Sequence, residues 1–283
     1  MTLNKLSKLI LSLGAVATLA ACGGGSAQDG IFVISREEGS GTRDAFTEIT
    51  GVLDENDVDN TDPNATIQNG TDQVITAVSE DPNAIGYISL GSLNDSVKAL
   101  QVEGVAPSEE AVADGSYKIA RPFNIVYKDN LEGAAKDFHD FIFSAEGQQI
   151  ALDEGYVPVK SDAAAYAGDG SQSGTINVVG STSVAPVLEK MAEEYMKLNS
   201  GVQVNITANG SSAGVEAAQN GTADIGMASR ALSEEEAGKV TGEAIAMDGI
   251  AVIVNNDNQV SNLSLDQVRD IFTGTITSWT EVQ

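Results

Sequence analysis

Chemistry-bearing side chains are scarce in this chain. It holds one cysteine, Cys22, and one histidine, His139. One cysteine excludes a disulfide within the chain, and one of each excludes the usual four-ligand zinc sets. Acidic clusters such as Asp54-Glu55-Asn56-Asp57 lack the glycine and spacing of a calcium loop. Basic residues are few: 15 Lys and Arg stand against 41 Asp and Glu, a net charge of −26. That balance excludes nucleic acid as a partner, since nothing neutralises its phosphates. It does not exclude a small anion. Exposed charges are screened beyond about 8 Å at physiological salt, and a desolvated pocket of N–H donors feels its own wall first. The acidic surface serves solubility. Aromatics are only 5%, whereas the 29 glycines indicate many tight turns in a globular composition. At 283 residues the chain is long enough for two lobes.

The N-terminus reads as an export signal. Lys5 and Lys8 precede an apolar run at 9–21, too short for a membrane span. It ends Leu19-Ala20-Ala21-Cys22-Gly23, which resembles the bacterial lipobox. The resemblance implies removal of residues 1–21 and a lipid on Cys22, leaving the protein anchored on the outer face of the cell membrane. Each buried methylene of such a lipid contributes roughly 0.8 kcal/mol. Residues 22–30, opening Gly23-Gly24-Gly25-Ser26, read as a tether.

Strand and helix patterns then alternate, the mark of an α/β fold. The apolar run 31–35 reads as a buried strand and leads into a turn and a helix from 42. Residues 53–66 are polar and turn-rich, and 72–79 are helical. Strands are expected at 84–90, 97–102 and 119–127, the last interrupted by Pro122, with helices at 108–113, 134–143 and 146–153. Residues 161–174 are small and polar and read as a linker. The pattern restarts with strands at 175–179, 202–207, 224–228 and 243–254 and helices at 185–198, 213–219 and 264–272. His139, Tyr87, Tyr127 and Trp279 read as surface or packing residues.

Three turns stand out. Residues 36–42 read Arg-Glu-Glu-Gly-Ser-Gly-Thr, residues 179–186 read V-G-S-T-S-V-A-P, and residues 209–215 read N-G-S-S-A-G-V. Each runs into a helical pattern, and a helix N-terminus offers unpaired N–H groups and partial positive charge to an anion. A lone G-S-G-T turn is a weak signal. Three such turns with one arginine make a small oxyanion the natural ligand.

Together these segments resemble the phosphate-binding lipoprotein of the bacterial high-affinity phosphate ABC importer. In that family the V-G-S-T segment comes first, so the chain reads as a circular permutant, with its termini meeting at a surface turn and linker 161–174 joining the old ends. The resemblance implies a two-lobed periplasmic-binding-protein fold of type II with two hinge crossings. One lobe is expected from 31–121 plus 246–283 and the other from 122–245. It implies phosphate contacts from Arg36, Ser40, Gly41, Thr42, Thr182, Ser183, Ser211 and Ser229. Ser229 stands where some family members carry aspartate, and Arg230 either contacts the ligand or pairs across the cleft. Glu38 is expected to accept phosphate's proton, which sulfate lacks, while Glu37 points to solvent. No cofactor or metal is implied. The expected partners are inorganic phosphate, a membrane permease and the membrane itself, the protein acting as a monomer. Competing readings are another tetrahedral oxyanion, a permuted sensor scaffold, and a phosphatase using Ser40 as nucleophile. The last lacks a nearby base in the sequence and the G-x-S-x-G context.

Overall fold

The computed structural model describes residues 29–128 and 130–282. The expected signal at 1–21, Cys22 and the tether up to residue 28 lie outside them. Strands and helices alternate at first: β1 (Phe32–Arg36), α1 (Gly41–Thr50), β2 (Thr66–Gln68), α2 (Thr71–Glu80), β3 (Ala84–Ser89), β4 (Val97–Ala99), β5 (Gln101–Val102) and α3 (Glu109–Ala113). Ser40 and Ser108 cap α1 and α3 by accepting the N–H group three residues on. The expected strand at 97–102 divides at Leu100 because the chain changes partner: β4 joins the long strand below, whereas β5 pairs with a separate short strand.

Strand β6 (Ala120–Tyr127) leads into α4 (Gly133–Ile142), α5 (Ala145–Asp153), β7 (Val157–Pro158), β8 (Ser173–Gly180), α6 (Ala185–Leu198), β9 (Gly201–Ala208), α7 (Ser211–Asn220), β10 (Ile225–Ala228) and α8 (Glu234–Ala237). The chain returns through β11 (Thr241–Asn255), β12 (Asn262–Leu263) and α9 (Leu265–Phe272). Pro122 does not interrupt β6. It lies opposite Met247, and β10 pairs with β6 only from Asn124 onward, so the missing N–H falls where that edge is open.

The strand order β2-β1-β3-β11-β6-β10-β8-β9 holds the molecule together. The first part of β11 runs antiparallel to β6, with an irregularity between Ala244 and Ala246, and its last part runs antiparallel to β3. Apolar side chains therefore collect on either side of this crossing. One core packs Phe46, Tyr87, Ile250 and Phe272, and another packs Phe123, Phe138, Leu188 and Ile225. We call the two bodies the first and second lobes. No helix of the described residues is long and apolar enough to cross a membrane.

Residues at the two ends of the described chain meet. Gly30 bridges Ser278, Ile31 N–H donates to the Thr277 carbonyl at 2.8 Å, and Trp279 N–H donates to the Asp29 carbonyl at 2.9 Å. The segment read as a linker packs as a strap against α4 and α5. Ala145 N–H donates to the Ala164 carbonyl at 2.8 Å, and Tyr166 N–H donates to Glu146 at 2.7 Å. The Tyr166 ring meets Phe141 edge-on at 5.3 Å, and its hydroxyl donates to Asp137 and accepts from Asn199. One aromatic residue in a small polar stretch is enough to fix it, because burying the ring and satisfying its hydroxyl act together.

At the crossing, Arg121 on β6 and Asp248 on β11 form a buried ion pair, Nη2 to Oδ2 at 3.1 Å, with Ser89 donating to Asp248 at 2.9 Å. Burial pushes the Asp248 carboxyl up to about 6 even with Arg121 beside it. Desolvation thus outweighs the attraction, and the pair serves the geometry of the crossing more than its stability. Asp248→Asn is expected to cost about 3–5 kcal/mol in urea unfolding, since it leaves a buried charge unpaired. Arg121→Met combined with Asp248→Leu is expected to recover most of that loss; a single variant as mild as the double contradicts this account.

Candidate functional site

Helices from both lobes aim their N-termini at the same place: α1 and α2 from the first, α6 and α7 from the second. The groups they bring together there are mainly hydroxyls. Thr42 Oγ1 lies 2.9 Å from Ser183 Oγ, and Thr71 Oγ1 lies 3.3 Å from the same atom. Ser181 Oγ accepts the N–H groups of Ser183 and Val184 at 3.2 and 3.3 Å and donates to Ser229 Oγ at 2.9 Å. Ser211 Oγ accepts the Ser229 N–H at 3.0 Å and lies 3.3 Å from Ser229 Oγ. Ser40, Thr42, Ser181, Ser183, Ser211 and Ser229 are all buried. Buried hydroxyls need partners. Thr42 and Ser183, and Ser181, Ser211 and Ser229, supply one another, Ser40 caps α1, and each can rotate to donate to an anion instead.

Arg36, at the C-terminal end of β1, is the cation of this cluster and is only 2% exposed. Its Nε and one Nη donate to the two carboxylate oxygens of Glu37, each at 2.7 Å, and Nη2 also reaches Thr182 Oγ1 of the second lobe at 3.0 Å. Nη1 is buried and has no hydrogen-bond partner among the described residues. The main chain beneath is fixed by Tyr87, whose hydroxyl accepts the Arg36 N–H at 3.2 Å and lies 2.9 Å from Ser35 Oγ. Tyr87 stacks on Phe46 with ring centroids 4.0 Å apart, and burial raises its pKa to about 12, so the phenol stays neutral. Arg43 Nη1 donates to the Arg36 carbonyl at 2.9 Å.

The lobes touch closely around this cluster. Ser212 N–H donates to the Gly39 carbonyl at 3.2 Å. A Cβ on Gly41 would lie 2.3 Å from Ser211 Oγ and 2.9 Å from Ser229 Oγ, so only glycine permits this approach. The structure thus brings Arg36, Ser40, Gly41, Thr42, Thr182, Ser183, Ser211 and Ser229 together. Glu38 is exposed. Glu37, expected to face solvent, instead holds the guanidinium because its two oxygens match the planar fork. Ser40 Oγ accepts the Arg43 N–H at 3.4 Å as the cap of α1. His139 contacts Asp140 and Glu243, on α4 and β11. Sequence reasoning missed Thr71 and Ser181. The signal for Thr71 was Gly70, whose φ of 138° starts α2 one residue before the expected helix. Among the described residues no group of three or more His, Cys, Asp or Glu is placed to hold a metal ion.

The PBP superfamily domain model matches residues 6–146 and 165–283. The chain is 48% identical over 289 residues to the Phosphate-binding protein PstS 2 of Streptococcus pneumoniae serotype 4, in an alignment covering 98% of this chain and 99% of that protein. It is similar to the crystal structure of a phosphate-binding protein of a phosphate ABC transporter from S. pneumoniae TIGR4. There the TM-score is 0.74 and the identity 50%, over 90% of this chain and 100% of that one. The Phosphate-binding protein PstS of Bacillus subtilis is 32% identical over 146 residues, 50% of this chain and 46% of that protein.

The Gly41 contact makes closure testable without any ligand. Gly41→Ala is expected to hold the lobes apart, raising the radius of gyration in small-angle X-ray scattering while circular dichroism stays unchanged. An unchanged radius contradicts the contact.

Proposed function

The chain belongs to the PstS family of phosphate-binding proteins within the PBP superfamily, and from that premise we propose that it captures inorganic phosphate between its lobes outside the cytoplasm and delivers it to an ABC importer. One observation carries the reading: the buried Arg36 guanidinium, with an unpartnered Nη1, lies among hydroxyls and helix N-termini from both lobes. A charge-assisted contact from Nη1, the N–H groups of Gly41 and Thr42, and hydroxyls of Ser40, Thr182, Ser183, Ser211 and Ser229 would encircle a tetrahedral anion. Thr71 and Ser181 join them by their contacts with Ser183 and Ser229. Because most donors are neutral, one guanidinium already offset by Glu37 suffices, and a net charge of −26 is no obstacle. The family consists of binding proteins rather than enzymes, and Ser40 acts as a helix cap, not a nucleophile.

Selection against sulfate needs an acceptor for phosphate's proton. Glu38 is exposed, so the role passes to Glu37, the carboxylate already at Arg36. An acceptor held in the site and left facing an unprotonated anion favours phosphate by up to ~10⁴-fold.

The segment order is read as a circular permutation relative to relatives such as the B. subtilis protein, of which only a 146-residue block aligns. The meeting of residues 29–31 with 277–279 and the strap at 161–174 support it. The S. pneumoniae relative aligns end to end in the same order, so the arrangement is read as inherited. Cys22 is read as the lipid anchor, the permease as the delivery partner and the monomer as the working state.

Calorimetric titration tests this reading. Phosphate is expected to bind and sulfate to be rejected, Arg36→Ala to lower phosphate affinity at least about 30-fold, and Glu37→Gln to narrow the discrimination at least about tenfold, with Glu38→Gln unchanged. Equal binding of both anions contradicts it. Cys22→Ser is expected to move the protein from the membrane to the soluble fraction of cells.

A further inference from the structure

Arg230 follows Ser229 at the rim of the cleft, and its guanidinium spans the two lobes. Within its own lobe Glu236 accepts two bonds from it, at 2.7 and 2.8 Å. Glu236 is itself fixed, because it closes the capping box of α8 by accepting the Ser233 N–H at 2.9 Å. The Arg230 carbonyl accepts the Asn124 amide of β6 at 2.7 Å. Arg230 is therefore aimed by its own lobe. From the other lobe Asp44 Oδ2 accepts Nε at 2.9 Å. Asp44 lies in the first turn of α1, the turn whose N–H groups are assigned to the anion in the proposed function.

The two carboxylates are not equivalent. Hydrogen bonding to Arg230 holds Glu236 below the usual carboxylate range, whereas burial raises Asp44 despite the same partner. Arg230 and Glu236 form a standing pair within one lobe, and Asp44, whose side chain keeps 41% of its exposure, joins them from the other lobe. A contact made after encounter acts on dissociation more than on association.

We propose that Arg230 is a positioning residue, which clamps α1 through Asp44 over the bound anion and sets the rate of its release. This rests on the phosphate reading above. The clamp lies outside the ring of ligand donors, so it tunes residence time without changing which anion is chosen.

Stopped-flow release of phosphate from the full chain tests it. Asp44→Asn and Arg230→Gln are each expected to speed release roughly 3- to 10-fold with association unchanged. The double variant is expected to release no faster than either single, and Arg230→Lys to restore part of the loss. Added salt is expected to speed release from the wild type and to have little effect on Asp44→Asn. Lys239→Gln, whose ammonium pairs with the exposed Glu235, serves as the control and is expected to match the wild type. Wild-type release from Asp44→Asn, or additive effects in the double variant, overturns the clamp. Failure of the wild type to bind phosphate overturns the functional reading instead. The clamp is then read from lobe closure alone, by spin-label distances between Glu48→Cys and Glu216→Cys in a Cys22→Ser background. Asp44→Asn is expected to shift these toward longer separations, and an unchanged distribution overturns the proposal.

Discussion

A guanidinium buried to 2% exposure must be answered by its surroundings, and Arg36 imposes that demand on everything near it. An isolated buried charge is among the costliest things a fold can hold. Glu37 supplies the counter-charge, Thr182 supplies a contact from the opposite lobe, and Tyr87 anchors the main chain. One nitrogen remains unanswered. The stacked Phe46 and Tyr87 rings and the capped helix α1 keep the arginine from relaxing toward water. The architecture follows from this: an arginine that cannot leave, facing donors that can turn.

The hydroxyl cluster explains how a strongly acidic protein makes an anion site. Serine and threonine carry no net charge, so their convergence costs little repulsion, and the helix N-termini behind them add partial positive charge where needed. The same neutrality lets the lobes meet, since hydroxyls donate to and accept from one another across the gap. Glycine at position 41 makes that approach sterically possible. The crossing strands β6 and β11 carry the only buried ion pair at the joint among the described residues, Arg121 with Asp248, and such a pair favours a defined geometry over added stability.

Much of this was legible in the sequence because local chemistry wrote it. Ser264 before an amphipathic stretch marks the start of α9, and Ala185–Leu198 shows its period plainly. The turn at 36–42 marked only part of the cluster, and it pointed to an anion only in combination with the turns at 179–186 and 209–215. What escaped depended on neighbours distant in the chain. Glu37 and Glu38 are adjacent, and only the fold decides which of them meets Arg36. Thr71 reads as an ordinary helix start until Ser183 is brought beside it, 112 positions away. The strap at 161–174 looked like a linker because composition cannot show that Tyr166 finds Phe141, Asp137 and Asn199.

Arg36 Nη1, buried and without a hydrogen-bond partner among the described residues, carries the reading, so a crystal structure with phosphate bound is the measurement of choice. This account expects the anion between the lobes, with one oxygen within hydrogen-bond distance of Arg36 Nη1 and others on Thr42 and Ser183. Phosphate bound elsewhere, with Arg36 Nη1 untouched and the Thr42–Ser183 contact intact, contradicts it.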